Sequence, residues 1–221
     1  MKIMTAKVVI SLAALLLDVL FFSGCDPQPV TAKEIISLNE EVVELMRNSL
    51  LLSQTTSYGV KTAFEDLSTY LRTHSLSDER VISMENNRTE FKGRAGKLKE
   101  NLKSARERAG QLFSLLKRRA DENQTQQWKD QMIAYIGISE EEFNRKMSDA
   151  LVAVAWLDAS IQRYDDLVGY AQVLVGLEGI DIILNEVNDQ ERLADETNRE
   201  VQQRIREGML VVDSLRAGRR Y

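Results

Sequence analysis

The sequence predicts an all-α protein: an elongated antiparallel helical bundle with coiled-coil packing and no strands. The only two prolines, Pro27 and Pro29, lie near the N-terminus, so residues 30–221 lack the residue that most strongly breaks helices. Apolar residues recur through that stretch at alternating spacings of three and four, which is the coiled-coil pattern. Strand-like alternation of apolar and polar residues does not persist over any useful length.

Composition excludes several classes of protein. The 221-residue chain has 1 Cys, 1 His and a formal net charge of −5, which excludes a disulfide scaffold and the common zinc clusters. Its mean hydropathy of −0.29 excludes a polytopic membrane protein. No glutamate lies three residues before His74, so a di-iron or di-manganese bundle is not expected. We predict no catalytic residue, metal or cofactor, and place His74 at the C-terminal end of the first helix, where a cation is favourable.

The first two helices are predicted from capping residues and apolar seams. The first runs from about Thr31 to His74, because Thr31 and Glu34 form a capping box. The second begins at Ser77, and the short connection before it predicts antiparallel neighbours. The first seam comprises Val43, Met46, Leu50, Val60, Phe64, Leu67 and Leu71, with Ser53 and Ser57 among them. The second seam comprises Met84, Arg88, Phe91, Ala95, Leu98, Leu102, Ala105, Ala109, Leu112 and Leu116.

The remaining helices follow a polar interval at residues 121–125. A short helix carries Trp128, Met132 and Ile136, Gly137 interrupts it, and a longer helix restarts at Ser139. Gly176 and Gly179 weaken that helix, each by about 1 kcal/mol relative to alanine, and form either a turn or a kink. The long helix has the seam Phe143, Met147, Ala150, Val154, Leu157, Ile161, Tyr164, Val168, Ala171 and Val175. A last helix over residues 189–217 has the seam Ala194, Val201, Ile205, Val212 and Leu215.

Carboxylate and aromatic clusters are interpreted as structural. Consecutive helix residues point about 100° apart, so neither the glutamates at residues 140–142 nor the pair Asp165 and Asp166 converges on one point. A solvated face is the favoured interpretation of both. Five aromatic residues could line a groove for a partner or a saccharide, but packing in the core is the favoured interpretation. These residues are Trp128, Tyr135, Trp156, Tyr164 and Tyr170.

The first 25 residues predict export. Lys2 and Lys7 precede an apolar run over residues 8–22, which as a helix of about 22 Å is too short to span a hydrocarbon core of about 30 Å. The run ends in Phe22-Ser23-Gly24-Cys25, small residues typical of a signal-peptide cleavage site. An ordinary secretory signal or an N-terminal anchor, with Cys25 incidental, is the alternative.

The sequence Phe22-Ser23-Gly24-Cys25 resembles the lipobox of bacterial lipoproteins. The resemblance implies that the Cys25 thiol is acylated and that the signal is cut before it. Asp26 is similar to the inner-membrane retention signal of enterobacterial lipoproteins. The implied organisation is a signal peptide at residues 1–24, a lipidated tether at residues 25–30 and a helical domain at residues 31–221. The last three helical segments are also similar to helical coiled-coil envelope lipoproteins.

Charge is divided between neighbouring helices. Residues 80–119 contain twelve Lys and Arg against four Asp and Glu, net +8, whereas residues 121–187 contain four against thirteen, net −9. The favoured interpretation is pairing of the two helices across an antiparallel seam, and the alternative is binding of the basic helix to anionic lipid headgroups.

The function expected from these features is that of a non-enzymatic, lipid-anchored scaffold or adaptor, located outside the cytoplasm and at the inner membrane. Its partners would be the membrane and either another envelope protein or a second copy, but not nucleic acid. The alternative is a ligand-binding or sensory bundle in the periplasm. That alternative requires a pocket between helices near Trp128 and Gly137.

Overall fold

Four long helices account for nearly all of the described chain. The computed structural model describes residues 30–73, 78–122, 125–174 and 180–217. These ranges contain α1 (Ala32–Thr73), α2 (Asp78–Asp121), α3 (Gln126–Leu174) and α4 (Ile180–Ala217), and no strand. The chain divides into two units at Thr31, and all four helices belong to the second unit. The predicted all-α class is confirmed.

Contacts between side chains show that neighbouring helices run antiparallel. Between α1 and α2, Arg94 Nη1 donates a hydrogen bond to the Thr55 carbonyl oxygen at 2.8 Å, and Arg108 lies 3.4 Å from Glu41. Higher residue numbers on α2 therefore lie beside lower residue numbers on α1, so the two helices are antiparallel. Each of the other neighbouring pairs, α2 with α3, α3 with α4 and α4 with α1, shows the same inverse relation. The result is an antiparallel four-helix bundle in which α1 and α3 are diagonal partners.

The apolar seams predicted from the sequence form the bundle core. Most of their members are buried, because the 3–4 spacing keeps them on one face of each helix. Within the described part, the exceptions are Arg88, which is exposed, and five half-buried residues, Leu50, Ser57, Leu116, Val168 and Leu215. Aromatic rings strengthen two layers of this core: Phe64 packs edge-on against Tyr164, with ring centroids 5.2 Å apart, and Phe113 contacts Phe143 at 5.9 Å.

Two predicted helix boundaries were wrong. Gly137 does not interrupt α3, and Ser139 does not cap a new helix, because its hydroxyl donates a hydrogen bond to the Tyr135 carbonyl oxygen, one turn back in the same helix. The flanking residues Ile136 and Phe143 are both buried. Burial of such side chains contributes about 1.5–3 kcal/mol each, which exceeds the penalty of about 1 kcal/mol for one glycine.

The second wrong boundary is the start of the last helix. Helix α4 begins at Ile180 rather than near residue 189, and its seam extends back through the buried residues Ile183 and Val187. Three residues from the predicted connections, His74, Gly176 and Gly179, lie outside the described residues.

A polar layer interrupts the core between α1 and α4. The buried Ser53 hydroxyl donates a hydrogen bond of 2.6 Å to the Asn198 side-chain oxygen, and Asn198 is itself fully buried. The Asn198 side-chain nitrogen has no hydrogen-bond partner. A single buried polar contact of this kind penalises other pairings, because a slipped register would leave both polar groups without partners. The layer therefore specifies the register of α4 on α1.

Candidate functional site

The end of the bundle at which α1 begins contains an apolar groove, which we name the end groove. It has a volume of about 620 Å³ and is open to solvent on one side. All four helices contribute to it, because antiparallel packing brings the starts of α1 and α3 together with the ends of α2 and α4. Its walls comprise Ala32, Ile35, Leu116, Arg119, Met132, Tyr135, Ile136 and Leu215.

Three large side chains at this end are exposed: Trp128 by 61%, Met132 by 41% and Tyr135 by 50%. Trp128 and Met132 continue the inward-facing stripe of α3, eight and four residues respectively before the buried Ile136. Ala32, the first residue of α1, lines the groove beside Met132. Trp128 lies about 6 Å further along α3, one turn nearer the start of that helix at Gln126.

Polar contacts hold this end of α3 in place. Lys129 forms an ion pair of 3.0 Å with Asp121 of α2, and the Tyr135 hydroxyl donates a hydrogen bond of 3.4 Å to the Ser214 hydroxyl of α4. Arg119, in the groove wall, pairs with Glu122. Both cations are therefore already paired, and most of the described walls of the end groove are apolar side chains.

A second exposed apolar surface lies on the outer side of α3, and we name it the α3 stripe. It consists of Val152, Trp156, Tyr170 and Val173, all of which are exposed. At 100° per residue these positions fall within one sector of about 100° on the helix. The Trp156 indole is 64% exposed and stands near the middle of α3.

The exposure of the aromatic residues shows that the expectation of core packing was wrong for most of them. Of the five aromatic residues considered in the sequence, only Tyr164 is buried, and the other four are exposed. Tyr135, Trp156 and Tyr170 each directly precede a seam residue, and the next position on a helix is rotated by about 100°. A residue next to a seam position in the sequence therefore has its side chain directed away from the core.

The opposite charges of α2 and α3 pair across their interface, as expected. Arg88 Nε lies 2.5 Å from Asp165 Oδ1, and Lys92 Nζ lies 2.6 Å from Asp165 Oδ2. Lys99 Nζ lies 3.6 Å from Asp158 Oδ2. Lys117 also contacts Glu140. The Asp165 side chain is only 11% exposed, so the expectation of a solvated face is wrong for this member of the acidic pair, which is partly buried because two cations cover it.

Perturbed titratable groups in the described chain have structural explanations. Burial raises the pKa of the Tyr164 hydroxyl, and the nearby Asp66 and Asp165 raise it further. The hydrogen bond from Lys146, followed by the one from Gln203, lowers the pKa of Glu207 to about 2. Tyr164 packs in the core and Glu207 joins α4 to α3, so neither forms part of a cleft with convergent reactive groups.

The residues predicted to carry the membrane anchor, Cys25 and Asp26, lie outside the described residues. Across residues 30–73, 78–122, 125–174 and 180–217 there is no group of three or more His, Cys, Asp or Glu side chains that could hold a metal ion. None of the helices in these ranges combines the length and apolar character that crossing a membrane requires.

The sequence predicts Leu215 only as a seam residue of the last helix and gives no indication that Ile35 or Arg119 belongs to a groove. Ile35, Arg119 and Leu215 come from three different helices, and no local pattern connects them. The sequence feature that could have indicated this groove is the short connections between helices, which predict that these helix ends meet. The groove lies near Trp128 and Gly137, where a ligand-binding bundle was expected to need a pocket, although Trp128 is not in its walls.

No protein-family model, curated protein or solved structure matches this chain.

Proposed function

We propose that the protein is a lipid-anchored, non-enzymatic scaffold of the bacterial cell envelope, tethered outside the cytoplasm through Cys25. The similarity of Phe22-Ser23-Gly24-Cys25 to a lipobox supports the anchor. The long paired helices support the scaffold role, because a bundle of this length holds distant surfaces at a set separation. Asp26 favours retention at the inner membrane.

The α3 stripe is the observation that carries the adaptor role. Trp, Tyr and Arg are the residues that most often dominate binding at protein interfaces, and the stripe presents Trp156 and Tyr170 on one side of one helix. Arg163 lies between them in sequence and on the same side. The partner is therefore an envelope protein, or a second copy, that covers this side of α3.

The position of the stripe matches a scaffold. Along α3, Trp156 is about 36 Å and Tyr170 about 57 Å from Met132 at the end groove, at 1.5 Å per residue. The partner is thus held tens of ångströms from the end at which the chain enters the bundle.

The anchor is tested by replacing Cys25 with Ser. In cells fed a labelled fatty acid, we expect label on the parent chain and none on the Cys25→Ser variant, which should also retain its signal peptide. Label retained in the variant would show that the acyl chains are elsewhere and that the anchor is wrongly assigned.

The contact surface is tested by site-specific photo-crosslinking in cells. A photoreactive residue at Trp156 should give a discrete crosslinked band. The same residue at Tyr58 should not, because Tyr58 is equally exposed but lies on α1, diagonal to α3. Equal bands from both positions, or none from Trp156, would contradict the assignment of the α3 stripe.

The end groove supports a second candidate, a ligand-binding bundle. Its described walls are mainly apolar, and Arg119 is the only charged residue among them, so the ligand would be an apolar molecule such as a fatty acid. Ile136→Trp should fill the groove and abolish binding of a fluorescent fatty acid to the protein, whereas Trp156→Phe should leave it unchanged. Equal binding by both variants would exclude the groove.

A further inference from the structure

We infer that the exposed end of the bundle, formed by Trp128, Met132 and Tyr135 around the end groove, docks on the surface of the lipid bilayer. The inference rests on the proposed function, because the bilayer is the one that holds Cys25. It adds a second, non-covalent contact with the membrane and sets the orientation of the bundle, which holds the α3 stripe tens of ångströms from the lipid.

The length of the connecting chain places this end close to the membrane. Seven steps along the chain separate Cys25 from Ala32, and a fully extended chain covers at most about 3.3–3.6 Å per residue. The start of α1 is therefore within about 25 Å of the acylated cysteine. The shortest helix, α4, has 38 residues and is about 57 Å long. The opposite end of the bundle is therefore out of reach, and only the end with the end groove lies within about 25 Å of Cys25.

The side chains at this end suit the boundary between lipid and water. Trp and Tyr are enriched at that boundary, because each has an apolar body and a polar tip. Met132 adds a flexible apolar side chain between them. Trp128 lies one turn nearer the start of α3 than Met132 and is mostly exposed, so its indole is available to the lipid beside the groove.

The tether favours the bilayer over a second copy as the occupant. A protein held by its own acyl chains meets the same membrane at a high effective concentration, whereas a second copy must arrive by diffusion. Two cations at this end, Arg119 and Lys129, are paired with acidic residues. Apolar burial of Trp128, Met132 and Tyr135 is therefore the main contribution to the docking.

The two tryptophans of the chain provide the test. Trp128 and Trp156 have similar exposure on the same helix, but they lie about 42 Å apart along it. The full-length chain, purified from membranes, is reconstituted into phosphatidylethanolamine–phosphatidylglycerol vesicles whose acyl chains carry bromine near the headgroup. Trp156→Phe leaves only the docking tryptophan, and Trp128→Phe leaves only the control.

We expect Trp128 emission to fall about twofold in brominated relative to unbrominated vesicles, as for an indole at the headgroup boundary, while Trp156 emission stays unchanged. Adding Met132→Asp to the Trp156→Phe chain should remove the quenching without releasing the protein from the vesicles. Circular dichroism of each variant verifies that the helices are retained.

The outcomes separate docking from anchoring. Unquenched Trp128 in a chain that sediments with the vesicles would overturn the docking and leave the anchor intact. Equal quenching of both tryptophans would also overturn it, because the bundle would lie on its side. If mass spectrometry finds no lipid on Cys25, the anchor is wrong, and quenching of Trp128 in excess vesicles then decides the docking by itself. A blue-shifted, unquenched Trp128 whose shift depends on protein density would identify a second copy as the occupant.

Discussion

Reversing the charges of Arg88 and Lys92 tests how α2 recognises α3. Both cations contact Asp165, at 2.5 and 2.6 Å, and the Asp165 side chain is mostly buried between them. The Arg88→Glu, Lys92→Glu double variant replaces two attractions with two repulsions at one carboxylate. We expect the bundle to lose stability without losing its fold, because the apolar seams are unchanged.

The magnitude follows from the exposure of the two cations, which are nearly half exposed. Pairs of this kind contribute about 0.2–1 kcal/mol each, and the repulsions that replace them should cost a similar amount. The expected loss is therefore about 2 kcal/mol in the free energy of unfolding. For a protein of this size, that corresponds to a decrease in Tm of about 4–8 °C.

A matched control is available on the same helix. Lys97 and Lys103 form no ion pair within the described part of the chain, so Lys97→Glu, Lys103→Glu changes the net charge equally without breaking a contact. Surface changes of this kind usually shift stability by at most about 0.5 kcal/mol each. Adding Asp165→Lys to the first double variant should restore part of its stability, because the pairs then re-form with opposite signs.

The assay is thermal unfolding followed by circular dichroism at low and high salt. The Debye length falls from about 30 Å at 0.01 M to about 3 Å at 1 M salt, so the difference between the two double variants should be largest at low salt. Equal decreases in Tm for both variants, or a difference that does not respond to salt, would refute specific pairing of α2 with α3 through Asp165.

Three further predictions concern packing and pH. Gly169→Ala should raise stability by about 0.5–1 kcal/mol, because a Cβ there meets open space and alanine favours helix. Gly208→Val should lower it by about 1–3 kcal/mol through overpacking, since a Cβ at Gly208 would lie 2.6 Å from the Met147 methyl carbon; denaturant unfolding measures both. The pKa of Glu207 is lowered from 4.5 to about 2 by Lys146 and its neighbours, so its stabilising contribution is present above pH 4.5 and is lost as the pH falls towards 2. Glu207→Gln should therefore flatten acid unfolding over that interval, and an unchanged acid transition would contradict this role.

Much of the architecture follows from local patterns in the sequence. The seam of α2 is an example: eight of its ten predicted positions, from Met84 to Leu112, are buried. Helical periodicity depends only on residues a few positions apart, so the sequence shows which face of each helix is apolar. The lack of proline beyond Pro29 similarly predicts long helices, because a helix continues until a residue stops it.

Local propensity alone does not predict where a helix stops. Gly137 weakens a helix wherever it occurs, yet α3 passes through it because Ile136 and Phe143 are buried against other helices. The early start of α4 at Ile180 has the same origin, since Ile183 and Val187 complete the core beside α3. At Gly137 this tertiary burial outweighs a local penalty of about 1 kcal/mol.

Exposure at the ends and sides of the bundle depends on the assembled structure. Trp128 belongs to the inward-facing stripe of α3 by its spacing, yet it is mostly exposed, because it lies at the end of the bundle where α1 begins. The walls of the end groove come from four helices whose relative stagger no single segment encodes. Sequence therefore determined the helices and their apolar faces, whereas packing of all four helices decided which apolar residues remain uncovered, because coverage depends on where each neighbour begins and ends.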